Sequence, residues 1–173
     1  MKKSILIAGV SGSGKSEVGR RLKSLGYETY DTDAFPGLCV MVDKKTGLPT
    51  EYDNGNDVEK VQKMKWLCKI DELEKLISHQ KDDIAFYCGL PNNFEEMVPL
   101  FDQVILLIAS PDTIRQRLNA RMDNGFGKSI EVQEHILNHK EAIEKSLKEK
   151  GAILINADQD INVVVNEVID KTR

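Results

Sequence analysis

Eight consecutive residues near the start of the chain, Gly9-Val10-Ser11-Gly12-Ser13-Gly14-Lys15-Ser16, match the pattern G-x-x-x-x-G-K-[ST] at every fixed position. Glycines at these spacings let successive backbone N–H groups turn inward and wrap phosphates, and a helix opening near Gly14 adds its positive end. Lys15 is placed to neutralise the β- and γ-phosphates of a nucleoside triphosphate, and the Ser16 hydroxyl to reach Mg²⁺. The expected nucleotide contacts are Gly9, Ser11, Gly12, Ser13, Gly14, Lys15, Ser16 and Glu17. Two carboxylates follow at Asp31 and Asp33, separated by Thr32, and two arginines, Arg117 and Arg121, stand four apart. At that spacing both arginines share one helix face, just before a glycine-bearing loop able to move. The chain has six arginines, and three of them fall within 115–121.

The elements that must position these groups are legible from apolar runs. Ser4-Ile5-Leu6-Ile7-Ala8 reads as a strand buried on both faces, and Val18, Leu22 and Leu25 recur at helical spacing until Gly26 stops the helix. The glycine loop therefore follows a strand and opens a helix. Tyr27 to Tyr30 reads as a second strand whose end carries Asp31-Thr32-Asp33, the end at which open α/β sheets bind ligands. Residues 34–55 show no period and are punctuated by Pro36, Gly37, Gly47 and Pro49, which predicts a functional loop rather than a linker. Asn56 with Glu59 resembles a capping box, and Val58, Val61, Trp66, Leu67 and Ile70 predict a helix continuing through Leu73, Leu76 and Ile77 to about His79. Strands are expected at 84–88, 104–109 and 152–155. Ser110-Pro111, Ser129 and Asp160 open the later helices, with Ile114, Leu118 and Met122 on an inner face. This alternation predicts an α/β fold with a mostly parallel sheet.

At 173 residues the chain is expected to form one domain. Its net charge of −4 argues against a nucleic-acid partner, and no apolar run approaches the length of a membrane span. No targeting signal is read at Met1-Lys2-Lys3, because the apolar run behind it breaks at the glycine loop. Cys39, Cys68 and Cys88 lack metal-like spacing and are odd in number, so reduced thiols in a cytoplasmic protein are expected, with neither disulfide nor structural zinc. His135 and His139 share a helix face among lysines and read as a solvated surface.

The glycine loop, Asp31-Thr32-Asp33, the Cys88-Gly89 strand end, Arg117 to Arg121 and the last strand before Asn156-Ala157-Asp158 together resemble the P-loop small-molecule and nucleoside monophosphate kinases. The likeness is strongest to shikimate-kinase-like and gluconate-kinase-like members and spans nearly the whole chain. It implies a three-layer α/β/α fold with a five-stranded parallel sheet in the order 2-3-1-4-5, an acceptor-binding region over 34–80 and a lid over 117–130. It also implies ATP and Mg²⁺ as cofactors, with Asp31 holding the metal together with Ser16, Asp33 meeting the acceptor hydroxyl, and Arg117 and Arg121 gripping the phosphates. Adenine would lie near Arg117 and the loop Asn156, Ala157 and Asp158. Lys15, Asp33, Arg117 and Arg121 are then the expected catalytic residues. The expected activity is ATP-dependent transfer of the γ-phosphoryl group to a hydroxyl of a small metabolite, a nucleoside, nucleotide or sugar-type acceptor, by a monomer or homodimer.

Two departures bear on the substrate. No arginine occurs between Arg21 and Arg115, where related enzymes clamp a phosphate or carboxylate, and Cys88-Gly89-Leu90 lacks the glycine-rich turn of shikimate kinases. These point to a nucleoside or sugar-type acceptor. Phe35, Tyr52 and Trp66 could stack on a base, Asn92 and Asn93 could contact the acceptor, Cys88 could line its pocket and Lys128 could add a lid contact. A nucleotide-binding switch or slow ATPase acting on a protein partner is the alternative from a different class.

Overall fold

A computed structural model describes residues 2–51, 55–122 and 125–173. In chain order the strands are β1 (Lys3–Ala8), β2 (Glu28–Asp31), β3 (Cys39–Asp43), β4 (Met64–Cys68), β5 (Ile84–Cys88), β6 (Gln103–Ile108) and β7 (Ile153–Asn156). The helices are α1 (Lys15–Ser24), α2 (Val58–Lys63), α3 (Ile70–Ser78), α4 (Phe94–Met97), α5 (Pro111–Ala120), α6 (Ile130–Glu149) and α7 (Ile161–Thr172), with a 3₁₀ turn over Val98–Leu100. Five strands form one sheet in the order β2-β5-β1-β6-β7, every pairing parallel. Counted within that sheet alone, this is the expected order 2-3-1-4-5.

β1 lies at the centre and its sequence shows why. Ile5, Leu6, Ile7 and Ala8 are all fully buried, so neither face of the strand meets water. Ile5 and Ile7 pack with Val18 and Leu22 of α1, Ile114 and Leu118 of α5, and Val164 and Val168 of α7. Leu6 and Ala8 pack on the opposite face with Leu73 of α3, Met97 of α4 and Leu147 of α6. Each large aliphatic side chain so buried contributes about 1.5–3 kcal/mol relative to exposure. The result is three layers, helices on both faces of a parallel sheet, with the strand C-termini opening toward one edge. The starts of α5, α6 and α7 read from sequence hold. The Ser110 and Ser129 hydroxyls accept from the Thr113 and Val132 N–H groups, and the Asp160 carboxylate accepts from Asn162.

The stretch 56–79 departs from expectation. It is not one helix but α2, then β4, then α3, and the α2 cap is Asp57, whose carboxylate accepts from the Glu59 and Lys60 N–H groups. β4 pairs antiparallel with β3, an element absent from the sequence reading, in the register Cys39↔Cys68, Met41↔Trp66 and Asp43↔Met64. The extended form wins because β4 gains partners on both edges. Across from β3, the Asn92 carboxamide accepts from the Trp66 N–H (2.6 Å), and Asn93 both accepts from the Cys68 N–H and donates to the Cys68 carbonyl (2.9 Å each). Two expected inward residues also turn out. Leu25 sits past the end of α1 and is 59% exposed, and Met122 lies beyond α5 and is 93% exposed. The strands at 28–31, 103–108 and 153–156 are each displaced by one residue from their expected limits.

Candidate active site at the strand ends

The loop between β1 and α1 takes the form its glycines allow. Gly12 and Gly14 adopt φ of 84° and 98°, a region that side chains disfavour, and the Ser13 N–H bonds back to the Val10 carbonyl at 3.0 Å. Gly14 caps α1 without a side chain, which leaves the N–H groups of the first turn facing the loop. The Ser13 hydroxyl is buried without a partner. Burial of the Lys15 ammonium within the loop pushes its pKa down. Asp33 opposes that, Arg121 adds to it, and Asp31 opposes it. A desolvated ammonium, an orphaned hydroxyl and inward N–H groups form a donor set suited to a polyphosphate. Ser16 follows in the first turn of the same helix.

The two aspartates are set by a tight turn at the end of β2. The Asp31 carboxylate accepts from the N–H groups of Asp33 (3.1 Å) and Ala34 (3.2 Å), which folds the chain back and brings both acids toward the loop. Thr32 between them is fully buried, and its N–H (2.9 Å) and hydroxyl (3.1 Å) both donate to the Cys88 carbonyl at the end of β5. Gly89 is required there, because a Cβ on it would stand 1.9 Å from the Thr32 hydroxyl oxygen. Burial pushes the Asp33 carboxyl up. Lys15 and the Trp66 indole N–H hold it down, Asp31 raises it further and Arg121 lowers it. Lys15, Asp31, Asp33 and Arg121 thus form one electrostatic cluster.

The β3–β4 hairpin forms the wall beside Asp33. Trp66 donates its indole N–H to the Asp33 carboxylate at 2.9 Å, and the Cys39 thiol donates to the Thr32 carbonyl at 3.3 Å. Trp66 entered the sequence reading as part of a helix and as a stacking surface. Its link to Asp33 depends on the hairpin register, which no local period encodes.

The arginines divide. Arg117, on α5, donates to the Ser13 carbonyl of the loop (2.9 Å) and to the Ala157 carbonyl (2.6 Å), so it bridges the phosphate loop and the segment after β7. Arg121 lies just past the last turn of α5 and donates to the Ser11 hydroxyl at 3.3 Å. Arg115 points away, to Glu134 at 2.6 Å. In the segment after β7, Ala157 is buried, and the Asp158 carboxylate accepts from the Ser110 N–H at 2.9 Å, which holds its pKa down. The Asn156 side chain accepts from the Asp158 N–H, so both polar side chains serve to shape this turn.

Other expected residues fall elsewhere. The Glu17 carboxylate is taken up by Arg20 (2.5 Å) and Arg21 (3.5 Å) on the outer side of α1. Asn92 and Asn93 are occupied in holding β4, and the Cys88 thiol is buried, facing Gly19. Phe35 packs on the edge of Tyr30, while Tyr52 and the lid positions Asp123 and Asn124 lie outside the described residues. His135 and His139 lie with ring centroids 4.4 Å apart, and among the described residues no group of three or more His, Cys, Asp or Glu side chains is placed to hold a metal. No helix among the described residues is long and apolar enough to cross a membrane.

Asn56 has a role that no sequence signal suggested. Its side chain donates to the Gly125 carbonyl (2.6 Å) and accepts from the N–H groups of Lys128 (2.7 Å) and Ser129 (3.0 Å), joining the entry of α2 to the start of α6. Gln133, buried in α6, adds a bond to the Gly127 carbonyl at 2.9 Å.

A five-stranded parallel sheet with a glycine loop after its central strand defines the class as a P-loop fold. The chain belongs to the family described as an AAA domain, whose model matches residues 5–138. It is 28% identical over 182 residues to a nucleotide-binding protein of Coprothermobacter proteolyticus, covering all of this chain but 57% of that protein. The chain thus spans little more than half the length of that curated relative. Among solved structures, deoxyadenosine kinase from M. mycoides with bound dATP superposes with a TM-score of 0.61 at 18% identity, covering 99% of both chains. Shikimate kinase from Acinetobacter baumannii in complex with shikimate gives 0.61 at 18% identity, over 99% of this chain and 93% of that one. At these identities the likeness is one of fold.

Proposed function

We propose that the protein is a phosphotransferase that moves the γ-phosphoryl group of ATP to a hydroxyl of a small metabolite, of the nucleoside or sugar type. The observation that carries this reading is Asp33, a carboxylate set against the phosphate-loop lysine and fixed by the Trp66 indole. A protein that only bound nucleotide would gain nothing from an acid held there at the cost of desolvating it. Phosphoryl transfer asks mainly for positioning and charge neutralisation. In this reading the inward N–H groups of residues 9–14 and Lys15 hold the phosphates, Glu17 contributes its first-turn N–H rather than its carboxylate, and Arg121 supplies the second cation across the loop. Arg117 positions the loop through the Ser13 carbonyl and offers its guanidinium plane beside the 156–158 turn, where a base would rest.

Asp33 orients the acceptor hydroxyl and takes up its proton as the oxygen attacks phosphorus. Its carboxyl, pushed up by burial, is the stronger base for it. Ser16 and Asp31 would hold Mg²⁺, with nucleotide oxygens and water completing its preferred octahedral shell, and the ion would supply further neutralisation of phosphate charge. Residues 34–80, with the hairpin at their centre, are the acceptor-binding region, and residues 117–130 the lid. Described residues between β2 and α5 present no arginine, which favours an acceptor without a phosphate or carboxylate to clamp.

The test is ADP release by the purified protein with Mg²⁺ and ATP, alone and with pools of nucleosides, sugars and sugar acids. A pool that raises the rate well above the water background supports the reading and begins to name the acceptor. A rate indifferent to every pool favours a nucleotide-binding switch or slow ATPase, the reading to which the relative's description as a nucleotide-binding protein also lends support.

A further inference from the structure

Cys39 and Cys68, 29 positions apart in the chain, stand directly opposite one another across the β3–β4 hairpin. The ladder alternates, and its hydrogen-bonded pairs are fixed at either end by Lys69 N–H to the Leu38 carbonyl (2.9 Å) and Lys44 N–H to the Lys63 carbonyl (2.8 Å). Cys39 and Cys68 therefore occupy a non-hydrogen-bonded position, where facing Cα atoms lie about 4.5 Å apart and side chains come closest. That spacing falls within the roughly 4.4–6.8 Å that a disulfide spans. The Cys39 thiol beside it holds the Cys68 pKa below the ordinary thiol value, although burial opposes this. Cys39 is the more open of the two.

From this placement we infer that Cys39 and Cys68 form a dithiol modification site, converted by a hydroperoxide to an intrachain disulfide and restored by a thiol reductant. The Cys68 sulfur attacks the peroxide, the O–O bond breaks, and a sulfenic acid and one water result. The Cys39 sulfur then displaces the sulfenic oxygen, which leaves as a second water with both thiol protons accounted for. Two thiols and one hydrogen peroxide thus give one disulfide and two waters, the sulfurs being oxidised and the peroxide reduced. Cys88 cannot take part, since its thiol is buried against α1 and burial pushes its pKa up.

The site reports on its surroundings. Trp66 is the chain's single tryptophan, sits two residues before Cys68 on the same face of β4, and holds Asp33, while Cys39 bonds the Thr32 carbonyl in the aspartate turn. Closing the bond removes the Cys39 thiol from the Thr32 carbonyl and alters the Trp66 environment. The inference does not depend on the proposed activity.

The full chain is reduced, treated with hydrogen peroxide, denatured with an alkylating agent and digested without reductant. The expected result is a peptide pair joining Cys39 to Cys68, a free-thiol count in denaturant falling from three to one, and a change in tryptophan emission that dithiothreitol reverses. Cys39→Ser and Cys68→Ser should each lose the cross-link and the emission change. Recovery of both cysteines in alkylated form, a cross-link to Cys88, or only intermolecular disulfides would overturn the inference. The mass measurement on the unmodified sequence decides it even if a variant folds poorly. An emission change that persists in Cys39→Ser would overturn the claimed link to the dithiol.

Discussion

Replacing Gly89 by alanine should damage the candidate site from a position that contributes no chemistry. The new Cβ would stand 1.9 Å from the Thr32 hydroxyl oxygen, 3.3 Å from the Thr32 Cβ and 3.4 Å from an Asp33 carboxylate oxygen. The first contact must open by more than an ångström, and Thr32 has nowhere to go, being fully buried and β-branched. Overpacking of this kind costs about 1–3 kcal/mol, and disrupting the hydroxyl bond to the Cys88 carbonyl about 1 kcal/mol more. A loss of about 2–4 kcal/mol is expected, which for a domain of this size lowers Tm by roughly 5–15 °C. Urea and thermal unfolding measure it. The sharper assay is a double-mutant cycle with Thr32→Ala, which removes the clashing oxygen and leaves the milder contacts at the Thr32 Cβ and the Asp33 carboxylate. The pair should be more stable than the sum of the single changes predicts, by at least about 1 kcal/mol. Strict additivity, or a Gly89→Ala protein as stable as the parent, would refute the claim that Thr32 packing sets the aspartate turn.

Other outcomes follow from the same geometry. Asn56→Ala removes the side chain that joins Gly125, Lys128 and Ser129 to the start of α2, so amide exchange over 125–129 should accelerate about tenfold, read by hydrogen–deuterium exchange with mass spectrometry. Glu28 has its carboxyl held below the ordinary value of 4.5. Burial raises it, but the Asp82 N–H, the Tyr30 hydroxyl and the Lys81 N–H together lower it by more. A depressed carboxyl contributes stability that is present above its unfolded value and is lost as pH falls through its folded value. Unfolding free energy should therefore decline on acidification below 4.5, and Glu28→Gln should flatten that decline in urea melts run as a pH series.

The sheet was legible because its strands are buried on both faces and write themselves as unbroken apolar runs, as Ile5-Leu6-Ile7-Ala8 does. The phosphate loop was legible because its function fixes residue types at adjacent positions. The hairpin was not, because Val58, Val61, Trp66, Leu67 and Ile70 satisfy a helical period by coincidence, and β4 is held extended by side chains from Asn92 and Asn93, more than twenty residues downstream. Everything that depends on the hairpin was hidden with it. The hold of Trp66 on Asp33 and the pairing of Cys39 with Cys68 are products of long-range register, to which composition and spacing are blind. The direction of the Glu17 carboxylate was hidden as well, since its α1 neighbours Arg20 and Arg21 draw it outward.

The central claim is that Asp33 acts on an acceptor and not on nucleotide binding, and Asp33→Asn tests it most directly. Nucleotide affinity by calorimetry and acceptor-dependent ADP release are measured on the same preparation, beside Lys15→Ala as the variant expected to lose ATP binding itself. Asp33→Asn should bind ATP nearly as the parent does while transfer falls about 10²–10⁴-fold, the usual contribution of a positioned base. Full turnover in that variant, or a loss of nucleotide affinity that matches Lys15→Ala, would contradict the account.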